Sequence, residues 1–226
     1  MIKAVVFDLD NTLLDFMKMK RMAIDAALNG MIEAGLDISL DESKNKIFNI
    51  YEDKGWEYQA VLDDFISDEL GTLDYKILAA GIVAYRKTKE ASLVLYPNVH
   101  STLIALSKIG MKLGVVSDAP SREAWTRICS VNLHHIFDAV VTFDDTGELK
   151  PSPKPFQRIS SLLNISPEHL IMIGDWPDRD VIGAKKIGMK TVFARYGNTF
   201  NTKNSGADYD VDDIAEILSI VKMENN

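Results

Sequence analysis

The chain has 226 residues and a formal net charge of -8, with 46% hydrophobic and 26% charged residues. This balance is typical of a globular protein, and an acidic surplus without a dense Lys/Arg run argues against nucleic acid as a partner. The longest apolar run, residues 77–85, is shorter than the roughly 18 residues that span a bilayer, so we expect no membrane segment. A lone cysteine and a strand pattern starting at residue 2 favour a cytoplasmic location.

The chain opens on residues 2–9, whose Val, Ile and Phe content predicts a buried strand. From residue 16 to about residue 96, apolar residues recur at helical spacing and glycines separate the segments. No segment of this stretch has a convincing strand pattern. We therefore predict an all-helical block between the first strand and the rest of the chain.

Strand and helix patterns alternate after Pro97. Strands are predicted at 111–117, 138–143, 169–174, 190–194 and 209–211, and helices at 99–109, 121–131, 156–163, 180–187 and 212–222. This alternation predicts an α/β fold of three layers, a Rossmann-like parallel sheet covered by helices on both faces. We assign 1–15 and 97–226 to this core and 16–96 to a helical insert.

The position of the insert bears on function. Ligands of open parallel sheets bind at the carboxyl ends of the strands. An insert that leaves the end of the first strand is placed to act as a lid over such a ligand.

Polar residues collect at four predicted strand ends: Asp8 and Asp10, Ser117 and Asp118, the loop with Lys150, and Asp175 with Asp180. Asp8 and Asp10 would share one face if the extended backbone continues. Two neighbouring carboxylates repel each other unless a cation or a proton intervenes. A hard cation such as Mg²⁺ prefers oxygen ligands, and Asp175 could supply a further one.

The remaining groups suit an anionic substrate. Lys150 could offset the charge of the incoming anion, and Ser117 offers a hydroxyl group. Backbone N–H groups beyond Ser117 could hold phosphate oxygens. A nucleophile, an acid–base group, a metal, a cation and an anion cradle are the parts that phosphoryl transfer needs.

Four segments, in this order, resemble the motifs of the haloacid dehalogenase superfamily: FDLDNTL at 7–13, VVSDAP at 115–120, ELKPSPKPF at 148–156 and IGDWPDRDVIGAKKIGM at 173–189. The helical insert resembles the C1 cap of subfamily I. Together the motifs cover the whole predicted core, and their agreement with the predicted strand ends makes the resemblance specific.

The resemblance implies a Mg²⁺-dependent phosphohydrolase that acts on a small phosphorylated metabolite through an aspartyl-phosphate. Asp8 would be the nucleophile and Asp10 the acid–base group. The carboxylates of Asp8 and Asp175 and the backbone carbonyl of Asp10 would hold Mg²⁺. The groups expected around the phosphoryl group are those of Thr12, Ser117, Asp118 and Lys150.

Some assignments stay open. Asp180 is expected to orient Lys150 or a metal-bound water, but Asp178 lies in the same motif and could replace it. Lys154 competes with Lys150, which the motif register favours. Trp176 stands where family members often have a small residue.

One alternative activity is that of a sugar-phosphate phosphomutase. Another is that of a 2-haloacid dehalogenase, but enzymes of that type lack the acid at the position of Asp10, so the presence of Asp10 argues against it. A non-enzymatic regulator that binds a phosphorylated metabolite would usually have a broken motif, and none is broken here. The apolar residues of the insert could form a homodimer surface, although burial within its own helices is the favoured use.

Overall fold

The computed structural model describes residues 1–226. The chain packs as two compact units, one of residues 1–16 and 94–226 and one of residues 17–93. No helix in the structure combines the length and apolar character that a membrane span requires.

The unit of residues 17–93 is helical. Its elements are α1 (Phe16–Glu33, which begins one residue before the unit), α2 (Leu40–Lys54), α3 (Val61–Leu70) and α4 (Tyr75–Ser92). One apolar face of each helix is buried in a shared core, which includes Leu28, Ile47, Phe65 and Leu78. The expected all-helical block is confirmed.

The other unit contains a single parallel sheet. Its strands are β1 (Ala4–Phe7), β2 (Lys112–Val116), β3 (Ala139–Val141), β4 (Leu170–Gly174), β5 (Lys190–Ala194) and β6 (Tyr209–Val211). The order across the sheet is β3-β2-β1-β4-β5-β6. Every residue of β1 is buried, as expected for a central strand with both faces covered.

Helices cover both faces of this sheet. They are α5 (Val99–Lys108), α6 (Ser121–Ser130), α7 (Phe143–Thr146), α8 (Pro153–Leu163), α9 (Asp180–Lys185) and α10 (Ile217–Asn225). Phe156 of α8 and Ala184 of α9 pack in one core with Ala4 and Val6. Since side chains alternate along a strand, Val5 and Phe7 face the opposite side, and they are buried too. The predicted three-layer α/β fold is confirmed.

Local capping explains two differences from the predicted elements. The third strand was expected to reach Phe143 but ends at Val141, because Thr142 and Asp145 form a capping box that starts α7. The following helix was expected from Phe156 but begins at Pro153, because the Ser152 hydroxyl accepts a hydrogen bond from the backbone N–H of Lys154.

The strand order places one pair of strand ends at the centre of the sheet. From β1 the chain adds β2 and β3 on one side and β4, β5 and β6 on the other. The boundary between β1 and β4 is therefore the topological switch point, where open parallel sheets bind ligands. Asp8 and Asp175 directly follow these two strands.

The loop after β1 is held against the turn that follows β5. Extended structure ends at Phe7, and Asn11 has a left-handed φ of 62°, so the chain turns sharply instead of continuing as a strand. The Tyr196 hydroxyl donates a hydrogen bond to the Thr12 carbonyl oxygen at 2.9 Å. A Cβ atom on Gly197 would lie 1.7 Å from the carbonyl oxygen of Asn11, so glycine is required for this approach.

We predict that Gly197→Ala lowers both stability and activity, because the new methyl group must push back the backbone that carries Asp10. Gly114→Ala is the matched control, since the atoms nearest to its Cβ would be side-chain atoms of Ile159 and Leu163, at 3.1–3.3 Å, and not backbone. Thermal unfolding and steady-state kinetics test both variants. Equal activity in Gly197→Ala and the wild type would show that this contact does not position the loop.

Candidate active site

Three buried carboxylates meet at the switch point of the sheet. The backbone N–H of Asp8 donates to the carbonyl oxygen of Ile173 in β4 at 2.9 Å, which brings the end of β1 beside Asp175. One carboxylate oxygen from each of Asp8, Asp175 and Asp180 lies within 4.8 Å of the others. The three residues, called the acidic trio below, are only 6%, 4% and 1% exposed, respectively.

Lys150 links two members of the trio. Its Nζ donates to Oδ1 of Asp8 at 2.5 Å and to Oδ1 of Asp180 at 2.6 Å. A third hydrogen bond, 3.3 Å long, reaches the carbonyl oxygen of Val116 at the end of β2. Burial disfavours the charged amine, but attraction by Asp180 and Asp8 outweighs burial and raises the pKa of Lys150. Lys150 is therefore an ammonium ion fixed at the centre of the site.

The competing lysine lies elsewhere. Lys154 is exposed and pairs with Glu148 at the start of α8. The structure thus brings Lys150, and not Lys154, into contact with the carboxylates at the strand ends.

The charge of the trio exceeds what Lys150 offsets. Burial raises the pKa of Asp8 despite the opposing charge of Lys150. Burial together with the charges of Asp8 and Asp180 raises the pKa of Asp175. Burial raises the pKa of Asp180 to about 7, again against the attraction of Lys150. Raised carboxyl pKa values indicate excess negative charge in a poorly solvated place.

Asp180 takes part in the site more directly than the sequence indicated. Its Oδ2 accepts a hydrogen bond from the backbone N–H of Trp176 at 3.1 Å, while its Oδ1 meets Lys150. Asp178, the alternative acid of this motif, is exposed. Asp180 contacts Lys150, as the sequence led us to expect, and it is in addition a member of the acidic trio.

Asp10 is placed differently from the trio. Its Oδ2 accepts a hydrogen bond from Nη1 of Arg127 at 2.5 Å, and its carboxylate is not part of the trio. A side-chain metal ligand set of Asp8, Asp10 and Asp175 therefore does not describe the clustered carboxylates, because Asp180 takes the third place. In this geometry, a metal-ligand role for Asp10 falls to its backbone carbonyl, as the family resemblance implied, and its carboxylate is left for other chemistry.

Sequence patterns did not single out Arg127. It lies in α6 at the helical spacing of Ala124 and Ile128, and all three are buried. The signal that could have identified it is a charged residue inside an apolar stripe, because a buried arginine requires a partner.

The predicted phosphate-binding residues lie around the same strand ends. The Ser117 hydroxyl is buried and accepts a hydrogen bond from the backbone N–H of Ala119 at 3.1 Å. The Thr12 hydroxyl donates to Oδ1 of Asp175 at 3.5 Å. Thr12 thus contacts an acidic side chain, and this contact supports the loop after β1.

Asp118 organises neighbouring segments. Its Oδ1 accepts a hydrogen bond from the backbone N–H of Lys150, and its Oδ2 accepts one from Nη1 of Arg179, both at 2.8 Å. The guanidinium carbon of Arg179 lies 3.8 Å from the centre of the Trp176 ring, which packs 4.2 Å from Phe200. Because its carboxylate is engaged in this way, only the backbone of Asp118 suits an anion.

Comparisons with known proteins agree with this site. The chain is 34% identical to a glyceraldehyde 3-phosphate phosphatase of Methanocaldococcus jannaschii, over 98% of each chain. It is 30% identical to a phosphoglycolate phosphatase of Aquifex aeolicus, over 86% of this chain and 85% of that one. A solved structure of a HAD phosphatase from Thermococcus onnurineus is 27% identical, covers 97% of this chain and 98% of its own, and superposes with a TM-score of 0.71.

The sequence model of one family spans most of the chain. It matches residues 5–194, which include all four motif segments and the residues of the acidic trio. The protein belongs to the haloacid dehalogenase-like hydrolase family.

Proposed function

We propose that this protein is a Mg²⁺-dependent phosphatase of a small phosphorylated metabolite, with Asp8 as its covalent nucleophile. The observation that carries the proposal is the ammonium of Lys150, held between Asp8 and Asp180 beside a third buried carboxylate. Such a group offsets the charge of a nucleophilic carboxylate and of an incoming phosphate ester. The proposal is supported by the names of the relatives, which are phosphatases that match 98% and 86% of this chain.

The acidic trio fits a divalent cation. Three carboxylates against the single ammonium of Lys150 leave a surplus of two negative charges, which matches Mg²⁺. All donors are oxygens, the ligand type that Mg²⁺ prefers. Asp8, Asp175 and the backbone carbonyl of Asp10 are the proposed ligands, with Asp180 bound to Lys150. When bound, Mg²⁺ would supply positive charge that keeps the carboxylates ionised and polarises the phosphoryl group.

The proposed reaction has two steps. A carboxylate oxygen of Asp8 attacks phosphorus, and the bond from phosphorus to the leaving oxygen breaks. The leaving oxygen keeps the electron pair and takes a proton from Asp10. A water molecule then attacks phosphorus of the aspartyl-phosphate and gives a proton to Asp10, while the bond from phosphorus to the Asp8 oxygen breaks. Free phosphate leaves, and the carboxylate of Asp8 is restored. Lys150 and the hydroxyl of Ser117 would hold the phosphoryl oxygens throughout.

The names of the relatives favour a short substrate of two or three carbons. We propose glyceraldehyde 3-phosphate first, because relatives of that name match nearly the whole chain. Phosphoglycolate is the second candidate, since a relative of that name matches over a shorter part of this chain.

We further propose that the helical unit of residues 17–93 serves as a C1-type cap that selects the substrate. Its insertion immediately after β1 and the loop that carries Asp10 supports this assignment. Substrate selection by a unit separate from the catalytic carboxylates would allow one chemistry to serve different substrates.

The first prediction concerns the reaction itself. The purified protein should release free phosphate from glyceraldehyde 3-phosphate in Mg²⁺, release less from phosphoglycolate, and lose both activities in excess chelator. Replacing Mg²⁺ by Ca²⁺ should inhibit, because the looser coordination of Ca²⁺ misplaces Asp8. Isomerisation without phosphate release would indicate a phosphomutase, and halide release from a 2-haloacid would indicate a dehalogenase.

A second prediction separates Asp8 from Asp10. Asp10→Asn should slow turnover by about 10²–10⁴-fold, because it removes general acid–base catalysis. With an activated aryl phosphate, which needs little protonation, Asp10→Asn should still become phosphorylated and keep the adduct. Asp8→Asn is the isosteric control and should form none. Intact-mass spectrometry after an acid quench measures the phosphate-sized gain, and an adduct on Asp8→Asn that maps to Asp10 would reverse the roles.

A third prediction follows from the raised pKa of Asp175. A carboxyl group with a higher pKa when folded than when unfolded costs stability above its unfolded pKa, and this cost grows as the pH rises toward the folded pKa. At pH 7 in chelator, Asp175→Asn should therefore unfold at a higher temperature than the wild type, by about 2–4 °C for each kcal/mol gained.

Mg²⁺ should reverse that order, because it stabilises the wild type by binding only the folded state, whereas Asp175→Asn has lost a ligand. Asp178→Asn is the matched control, an exposed acid of the same loop that should change neither measurement. A lower unfolding temperature of Asp175→Asn in chelator would contradict the assignment of surplus charge to the trio.

A further inference from the structure

A buried arginine outside the four motif segments contacts the proposed acid–base group. The side chain of Arg127 is 3% exposed, and its Nη1 lies 2.5 Å from Oδ2 of Asp10. Taking a guanidinium out of water is strongly unfavourable unless a charged partner compensates for it. Asp10 is such a partner, so the pair is built into the fold.

The guanidinium of Arg127 is itself held in place. Its central carbon lies 4.4 Å from the centre of the Phe16 ring, a cation–π arrangement. On the helix, Arg127 shares the buried face of Ala124 and Ile128, which anchors its backbone. An arginine fork is planar and rigid, so these contacts define both the position and the plane of the group that meets Asp10.

Asp10 itself lies in a loop, beyond the end of β1 and next to the left-handed Asn11. A carboxylate there can rotate about two side-chain bonds. A proton reaches the leaving oxygen only if the acid lies within hydrogen-bond reach of it. Engagement of Oδ2 by Arg127 restricts this rotation and so fixes the orientation of the carboxylate.

We propose that Arg127 is a positioning residue, which fixes the carboxylate of Asp10 for proton transfer to and from the substrate. This inference rests on the proposed phosphatase function and deepens it. The guanidinium of Arg127 contacts the carboxylate of Asp10, so we infer that it acts on the reaction through Asp10.

A purely structural role for the pair would have a different signature. An ion pair that only fastened α6 to the loop after β1 would, when lost, slow the reaction of every substrate by the same factor. Loss of positioning affects proton donation, and its effect depends on how much the leaving group needs a proton. Alkyl phosphates need it most, and nitrophenyl phosphate needs it least.

The test is a set of kcat/KM values for phosphate monoesters, from nitrophenyl and phenyl phosphates to alkyl phosphates. Arg127→Met keeps an unbranched apolar stem in the buried stripe and removes the guanidinium. We expect kcat/KM of Arg127→Met to fall about 10²-fold for alkyl phosphates, the lower range of general acid catalysis, and by less than about threefold for nitrophenyl phosphate. Arg122→Met, in the same helix with a side chain 84% exposed, is the matched control and should retain wild-type values.

Two further variants keep the test decisive. Arg127→Lys keeps the charge but loses the planar fork, so it should show the same leaving-group dependence to a smaller degree, and it replaces Arg127→Met if that variant does not fold. In an Asp10→Asn background, Arg127→Met should cause no further loss, because the group through which it acts is gone.

Equal losses for all leaving groups, or a full additional loss in the Asp10→Asn background, would overturn the positioning role. Absence of phosphate release from the wild type would instead overturn the proposed function. The two failures are therefore distinguishable.

Discussion

The ammonium of Lys150, held between the carboxylates of Asp8 and Asp180, is the contact on which the rest of the site depends. It joins three distant segments of the chain: the loop after β1, the segment before α8 and the first turn of α9. All three groups are buried, so removing the Lys150 ammonium would leave the carboxylates without a counter-ion in a poorly solvated place. The sheet makes the contact possible, because its strand order brings the ends of β1, β2 and β4 together.

The same contact leaves the site with a charge imbalance that the fold must tolerate. Lys150 serves two carboxylates, and Asp175 adds a third within the same small volume. A chain under selection for stability alone would not bury this group of acids, and strongly perturbed carboxyl groups cluster at functional sites. The apolar sheet core around Val6 and Ile173 stabilises the fold against this local cost.

Two further acids of the site differ from the trio, because each forms an ion pair with an arginine. Asp10 meets Arg127 and Asp118 meets Arg179, each at hydrogen-bond distance. These carboxylates have a guanidinium as counter-ion, whereas the trio shares one ammonium. The carboxylates without a guanidinium partner are thus those of the trio, where a cation suits them, whereas Asp10, the group proposed to exchange protons, is paired with Arg127.

The motif order, the alternation of strands and helices and the helical insert could all be predicted from the sequence, because each depends on local periodicity and on residues close together in the chain. Asp8, Lys150 and Asp175 were identified for the same reason, since each lies in a recognisable segment at a predicted strand end. Three things required the tertiary structure: the choice of Asp180 over Asp178, the position of Asp180 within the trio, and the pairing of Asp10 with Arg127. These features depend on burial and on contacts between distant segments, since Asp10 and Arg127 are more than a hundred residues apart in the chain. No local pattern encodes which buried charge will meet which partner.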